Sequence, residues 1–307
     1  MSSETTASSS TTAGKKHTAT IVTILIAVAI GALVALAGSQ GGTQLAGVPL
    51  YAWAVAAAFL IQVLVYLPSA AAKTERFFDL TGSATFIIVT VGLLVAAPEP
   101  DARAWVLGAM VALWALRLGS FLFARIHRSG SDDRFDGIKG DKLRFLRVWI
   151  MQGLWVSLTA AAAWIAIAGG TDDREPFGWL GIVGVVVWAA GFIIEVAADL
   201  QKNAFTADPA NKGRFIRTGL WSRSRHPNYF GEILLWVGVA VVAAPVLVGW
   251  QWVALISPVF VALLLLRVSG VPLLEAKADR KWGGDADYET YKRETPVLLP
   301  RLTSPKA

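Results

Sequence analysis

The chain has no cysteine, which excludes disulfides, thiolate metal sites and a cysteine nucleophile. Histidine is almost as scarce. His17, His127 and His226 are the whole supply, too few and too scattered for a histidine-rich di-iron cluster, and no metal is expected. Charge is thin as well, with Asp, Glu, Lys and Arg at 16% against roughly 25% in an average soluble domain. Apolar residues fill the space: 55% of the 307 residues are hydrophobic and the mean hydropathy is +0.54. They come in repeated runs near the ~20 residues a bilayer requires. The fold class is therefore an all-α, polytopic transmembrane helical bundle.

Eight spans are expected, with seven as the alternative count: 18–38, 49–69, 79–97, 103–124, 146–169, 177–199, 229–248 and 251–274. Of the 28 Lys and Arg residues, 24 fall on one side of these spans. Arg103 and Arg174 fall on the other, and Arg117 and Arg267 lie within spans. By the positive-inside rule both termini are expected in the cytoplasm, with the plasma (inner) membrane as the site of insertion. The net charge of +6 then reflects topology and the ligands of two long basic loops, and no nucleic-acid partner is expected. Residues 1–17 form a tail, and its Ser-, Thr- and Ala-rich first 14 residues are expected to be disordered. The first apolar run exceeds the 7–15 residues usual in a cleaved signal peptide, so it is read as a retained helix, although a cut near Ala37 is the other reading. An N-terminal transmembrane region over 18–170, a C-terminal domain over 171–300 and a tail over 301–307 complete the division.

Polar groups gather toward the cytoplasmic end of the last three spans. The sixth span ends in Glu195-Val-Ala-Ala-Asp199-Leu-Gln201-Lys202, and helical continuation puts Glu195, Asp199 and Lys202 on one face. A salt-bridged helix end explains Asp199 and Lys202 equally well, but Glu195 lies deeper, where a carboxylate should face the bundle interior. Next comes Lys212-Gly213-Arg214-Phe215-Ile216-Arg217, and then the densest block in the chain, Gly219-Leu-Trp-Ser-Arg-Ser-Arg225-His226-Pro227-Asn228-Tyr229-Phe-Gly231-Glu232. Pro227 suits a first helical turn, so a helix is expected to start there. Its N-terminus beside several arginines would make a site for a pyrophosphate or 2′-phosphate. Anchoring to anionic lipid heads is the other reading of those arginines. Asn228 and Glu232 share a helix face, while Tyr229 fits either an aromatic belt or a cofactor contact. Arg267, Val271 and Glu275 make one stripe if the eighth span is a continuous helix. A buried Arg267 would need Glu232, Glu195 or Asp199 as partner. Trp282, Tyr288, Tyr291 and Arg293 sit on a short amphipathic tail that either folds back over the site or rests on the membrane.

These residues resemble the C-terminal domain of the steroid 5-alpha-reductase family, closest to its bacterial, largely uncharacterised branch. The resemblance covers residues 191–300. It is carried by Glu195, Asp199, Gln201 and Lys202, by the Gly219–Glu232 block, and by Arg267, Gly270, Glu275 and Tyr291. It implies an integral-membrane reductase with NADPH bound between the last helices and the cytosolic loops. The reaction implied is reduction of a carbon–carbon double bond conjugated to a carbonyl, in an apolar steroid- or isoprenoid-like lipid taken from the bilayer. Cofactor-binding roles are implied for Asp199, Arg214, Asn228, Glu232 and Arg267, joined by Glu195, Lys202, Arg217, Arg225, His226, Tyr229, Glu275 and Tyr291 from the pattern above. The group that polarises the substrate carbonyl is the point of departure from the family, because its Tyr and Glu have no clear counterpart here. Among Tyr51, Gln62, Tyr66 and Asp79, the candidates for that role are Asp79 and Tyr66, with a helix N-cap as the competing role for Asp79. Trp114, Arg117, Arg125, Asp133, Arg134 and Gln152 also resemble the bacterial branch, without an assigned role.

Two other classes compete. Membrane methyltransferases using S-adenosylmethionine share the Arg-His-Pro-x-Tyr turn, but usually carry adjacent glutamates where this chain has Leu274-Glu275-Ala276. S-adenosylmethionine also has no phosphate to match the basic loop. The last alternative is a non-catalytic membrane protein that retains a nucleotide pocket.

Overall fold

A computed structural model of the chain describes residues 3–129, 135–170 and 174–301, with side chains placed from residue 17 and not for 122–129. Of the residues resembling the bacterial branch, Asp133, Arg134 and the side chain of Arg125 lie outside that description. The helices are α1 (Ser3–Gly38), α2 (Leu50–Ala71), α3 (Phe78–Ala96), α4 (Ala102–Ser129), α5 (Lys142–Thr159), α6 (Ala161–Ala168), α7 (Trp179–Ala207), α8 (Pro227–Ala243), α9 (Ile256–Leu263), α10 (Val271–Trp282) and α11 (Ala286–Glu294). A two-residue hairpin, β1 (Gln44–Leu45) with β2 (Val48–Pro49), is the sole sheet among the described residues.

Seven helical segments are long and apolar enough to cross a membrane, and an eighth arises if the bent pair α5 and α6 counts as one span. The expected run over 146–169 is that pair, broken by 62°. Helix α1 runs back from its apolar part, His17–Gly38, into the stretch expected as a disordered tail. No proline interrupts that tail and its first glycine is Gly14. The segments Trp179–Ala207 and Gly249–Trp282 have 29 and 34 residues, more than the roughly 20 that cross the hydrocarbon core. Their polar ends therefore have length to project beyond it.

The chain packs as two compact units, Met1–Pro176 with Val246–Ala254, and Phe177–Pro245 with Leu255–Ala307. The turn after α8 belongs to the first unit. In that unit Tyr66, Phe145, Trp149 and Phe135 form an aromatic cluster, and the Tyr66 hydroxyl donates to the Lys142 carbonyl at 2.9 Å. Two polar side chains within the spans find partners inside the bundle, where lipid offers none: Gln62 Nε2 donates to Thr85 Oγ1 at 2.8 Å, and Trp164 Nε1 to Thr90 Oγ1 at 2.8 Å. Asp79 is the second residue of α3. The N-cap position belongs to Phe77, without a side-chain cap bond, so the N-cap reading of Asp79 is corrected.

The second unit is built on the antiparallel contact of α7 with α8. Gly184 and Gly191 on one helix face Gly238 and Gly231 on the other, so the backbones touch directly. A Cβ on Gly191 would lie 2.5 Å from Leu235 N, and one on Gly231 would lie 2.6 Å from Glu195 N. Small residues at such contacts let backbones approach and gain dispersion energy where lipid supplies no hydrophobic drive. Gly231→Ala is expected to lower the thermal midpoint in detergent, by overpacking worth about 1–3 kcal/mol. Gly92→Ala, where an added Cβ meets nothing within 4 Å, should be neutral or stabilising. Equal midpoints for the two variants would mean that the helices stand further apart than this.

Candidate cofactor site

The contact of α7 with α8 brings the polar end of α7 beside the loop that enters α8. Gly219 has φ +60° and stands against Gln201, where a Cβ would come within 2.6 Å of Oε1. Gln201 Oε1 accepts from Leu220 N at 2.9 Å, and the buried Trp221 donates Nε1 to the Ala198 carbonyl at 3.0 Å. The loop is thereby pinned to the last turns of α7. Helix α8 starts at Pro227, as expected, with His226 in the N-cap position.

At that start a single carboxylate ties the loop to α10. Glu275 Oε2 accepts from Arg225 Nη1 at 2.8 Å and its Oε1 meets His226 Nε2 at 2.8 Å. All three side chains are largely buried, at 19%, 13% and 7% exposure respectively. A carboxylate only accepts, so Nε2 carries the proton. The His226 ring stacks on Tyr229 with centroids 5.5 Å apart and planes 8° from parallel. Tyr229 is therefore a packing partner of the site histidine. Arg225, expected among the phosphate ligands, spends Nη1 on Glu275.

The amphipathic tail folds back onto the site. Tyr291 donates its hydroxyl to the Trp221 carbonyl at 2.7 Å, and Trp282 donates Nε1 to the Gly213 carbonyl at 2.6 Å. Arg225 N donates to Pro296 O at 2.9 Å, Ser224 Oγ to Leu298 O at 2.8 Å and Arg301 N to Arg223 O at 3.0 Å. Burial pushes the phenols of Tyr288 and Tyr291 above their usual range, and for Tyr288 the bond to Asp279 adds to the effect. Both stay neutral hydrogen-bond donors at physiological pH.

Two adjoining cavities open here. One of about 310 Å³ is walled by Phe215, Trp221 and Trp282 and reaches Arg225, His226 and Glu275. The other, about 410 Å³, includes Lys212, Arg214, Phe215 and Trp282. Lys202 lines both. Each lies within the ~300–1,000 Å³ usual for ligand pockets. The expected site is thus only partly assembled. Lys202, Arg214, Arg225, His226, Glu275 and Tyr291 surround these cavities. Asp199 and Asn228 instead pair with each other, Nδ2 to Oδ1 at 3.2 Å, and Glu195 is buried against Gly231. Glu232 is half-buried on α8 and lines neither cavity. Arg217 is exposed and pairs with Asp287 at 3.4 Å.

Arg267 departs most from expectation. The helix opens into a π turn over Leu264–Val268, Pro272 follows the break, and α10 begins at Val271. The periodicity that put Arg267 in line with Glu275 does not hold across this break, and Arg267 is exposed. Residues not selected from the sequence also line the cavities, namely Phe215, Lys277 and Lys281. The four-residue spacing of the two lysines on a helix was the available signal.

The family profile described as "Protein of unknown function (DUF1295)" matches residues 65–295, three quarters of the chain. The chain belongs to this family. It is a steroid 5-alpha-reductase-like family, as the Gly219–Glu232 block implied. Among curated proteins the chain is 26% identical over 129 residues to steroid 5-alpha-reductase DET2 of Gossypium hirsutum, covering 42% of this chain and 45% of that protein. It is 26% identical over 131 residues to the DET2 of Arabidopsis thaliana, covering 42% and 44%. A third relative, the probable O-methyltransferase ustE of Ustilaginoidea virens, is 29% identical over 90 residues, covering 29% and 31%. The chain thus spans less than half the length of each of these relatives. No solved structure matches it.

Glu275→Ala would strand Arg225 and His226 in a largely buried setting, which costs about 3 kcal/mol or more. A marked drop in the thermal midpoint is expected, whereas Glu294→Ala, at an exposed pair, should change it by no more than about 0.5 kcal/mol equivalent. Equal effects would deny Glu275 its central place.

Proposed function

We propose that the chain is an integral-membrane reductase that uses NADPH to reduce a carbon–carbon double bond conjugated to a carbonyl, in an apolar steroid- or isoprenoid-like lipid drawn from the bilayer. The site is read as facing the cytoplasm, on the side where the basic residues gather. The observation that supports this most is the pair of adjoining aromatic-walled, cation-lined cavities, the smaller of them set against the His226–Glu275 node, in a chain of a steroid 5-alpha-reductase-like family.

The residues present fit such a cofactor. Phe215, Trp221 and Trp282 offer flat apolar faces for a base, and the cavity cations offer charge-assisted bonds for phosphates. Lys202 stands where the two cavities meet. Arg214 is exposed on the larger cavity, without an ion pair among the described residues, and is read as the ligand of the 2′-phosphate. When bound, NADPH supplies the hydride. The work of the chain is to bind, to orient and to exclude water. Glu275 holds His226 in the Nε2–H form, and the folded-back tail closes over the loop. Asp199 and Asn228 brace the junction of α7 and α8 as a bonded pair.

A second reading has one observation in its favour, the similarity to the probable O-methyltransferase, which accords with the shared Arg-His-Pro-x-Tyr turn. S-adenosylmethionine has one carboxylate and no phosphate, too little negative charge for the lysines and Arg214 together. Titration of the purified protein is expected to give saturable NADPH binding and none for S-adenosylmethionine. The reverse would replace the reductase by a methyltransferase. Arg214→Ala is expected to weaken NADPH about tenfold or more while leaving NADH little changed. Equal losses would place Arg214 away from the 2′-phosphate.

A further inference from the structure

The arginines that dominate the loop sequence are not the cations that the smaller cavity leaves available. Arg225 is bound to Glu275, and Arg217 lies outside that cavity, paired to Asp287. Three lysines remain on its wall: Lys202 near the end of α7, and Lys277 and Lys281 one turn apart on α10. None of the three has an ion pair with Asp or Glu among the described residues. Two of them rest on indole faces, Lys202 Nζ at 4.8 Å from the Trp221 ring centroid and Lys281 Nζ at 4.5 Å from that of Trp282. Lys202 feels the nearby Asp199 carboxylate, which favours its charge, and the like charge of Lys277, which opposes it. Like charges gathered around one hollow raise its potential, and an anion that enters relieves the repulsion. Glu275 is the only acidic residue on the same wall, and its two oxygens are already engaged by Arg225 and His226.

We infer that Lys202, Lys277 and Lys281 form a pyrophosphate receptor, with the α10 lysines determining affinity for the doubly charged bridge of a dinucleotide. The inference rests on the nucleotide reading above for its natural ligand, but the receptor itself recognises the diphosphate. Lysine ammonium groups suit this role, because each is a point charge on a long stem that can swing from an indole face to a phosphate oxygen.

The test uses the full-length protein in detergent, with inorganic pyrophosphate and NADPH as separate probes, read by intrinsic tryptophan fluorescence and by calorimetry. Lys277→Gln, Lys281→Gln and the double variant are compared with wild type. Both lysines are exposed on their helix, and an unchanged thermal midpoint verifies that each variant is folded. Pyrophosphate is expected to change the tryptophan emission of wild type. Each single variant should lose about tenfold in affinity for it, and the double variant more, with a shallower salt dependence. Pyrophosphate binding that depends on the lysines, without NADPH binding, would uphold the receptor and remove the NADPH reading. NADPH binding equal in wild type and double variant would keep that reading and overturn the receptor. Absence of pyrophosphate binding to wild type would also overturn it.

Discussion

The direct backbone contact between α7 and α8 is the constraint from which the site follows. Glycine at 184, 191, 231 and 238 removes the side chains that would keep two helices apart. The pair then acts as one rigid element even though its surroundings are lipid. Because the contact is antiparallel, it sets the polar end of α7 beside the start of α8. That juxtaposition lets Gln201 and Ala198 anchor the loop at Leu220 and Trp221, and lets Asp199 meet Asn228. If the helices were held apart by even one methyl group at Gly231, these bonds would lose their register.

On this frame the charged residues divide between structure and binding. Arg225 and His226 share Glu275, so the motif that stands out in the sequence acts mainly as a clasp between the loop and α10. The tail after α11 reinforces the clasp through backbone bonds to Arg223 and Arg225. Cations free to meet a ligand are instead on the cavity walls, where aromatic faces hold them without neutralising them. Such an arrangement suits a ligand with flat rings and phosphates better than one without phosphates.

Much of the fold was legible because lipid leaves few options. Apolar runs of span length give the number of spans, although α1 begins well before the expected residue 18 and α7 runs on past the expected 199, and Pro227 gives the start of α8 outright. The break in the expected fifth span was not legible, since Ala160 carries no signal of a 62° bend. Helical arithmetic failed at Arg267, where Gly270 and Pro272 were visible but a π turn was not inferred from them. The basic character of the site was legible too, but its division of labour was not. Whether an arginine faces a ligand or a carboxylate depends on which residue of another helix reaches it, and Glu275 is 50 residues from Arg225. The seven-residue spacing of the glycine pairs was present in the sequence and is explained only by the partner helix.

Membership in the DUF1295 family and similarity to steroid 5-alpha-reductases agree with a reductase, and the cavities agree with a phosphorylated dinucleotide. The hollow between the end of α7, the loop that enters α8, and α10 is proposed to hold this class of cofactor. The most direct test is mass spectrometry of the small molecule released from the purified, detergent-solubilised protein. NADPH or NADP⁺ in near-stoichiometric amount is the predicted result. Recovery of S-adenosylmethionine or its demethylated product in that amount would mean that the hollow serves a methyl donor and not a phosphorylated dinucleotide.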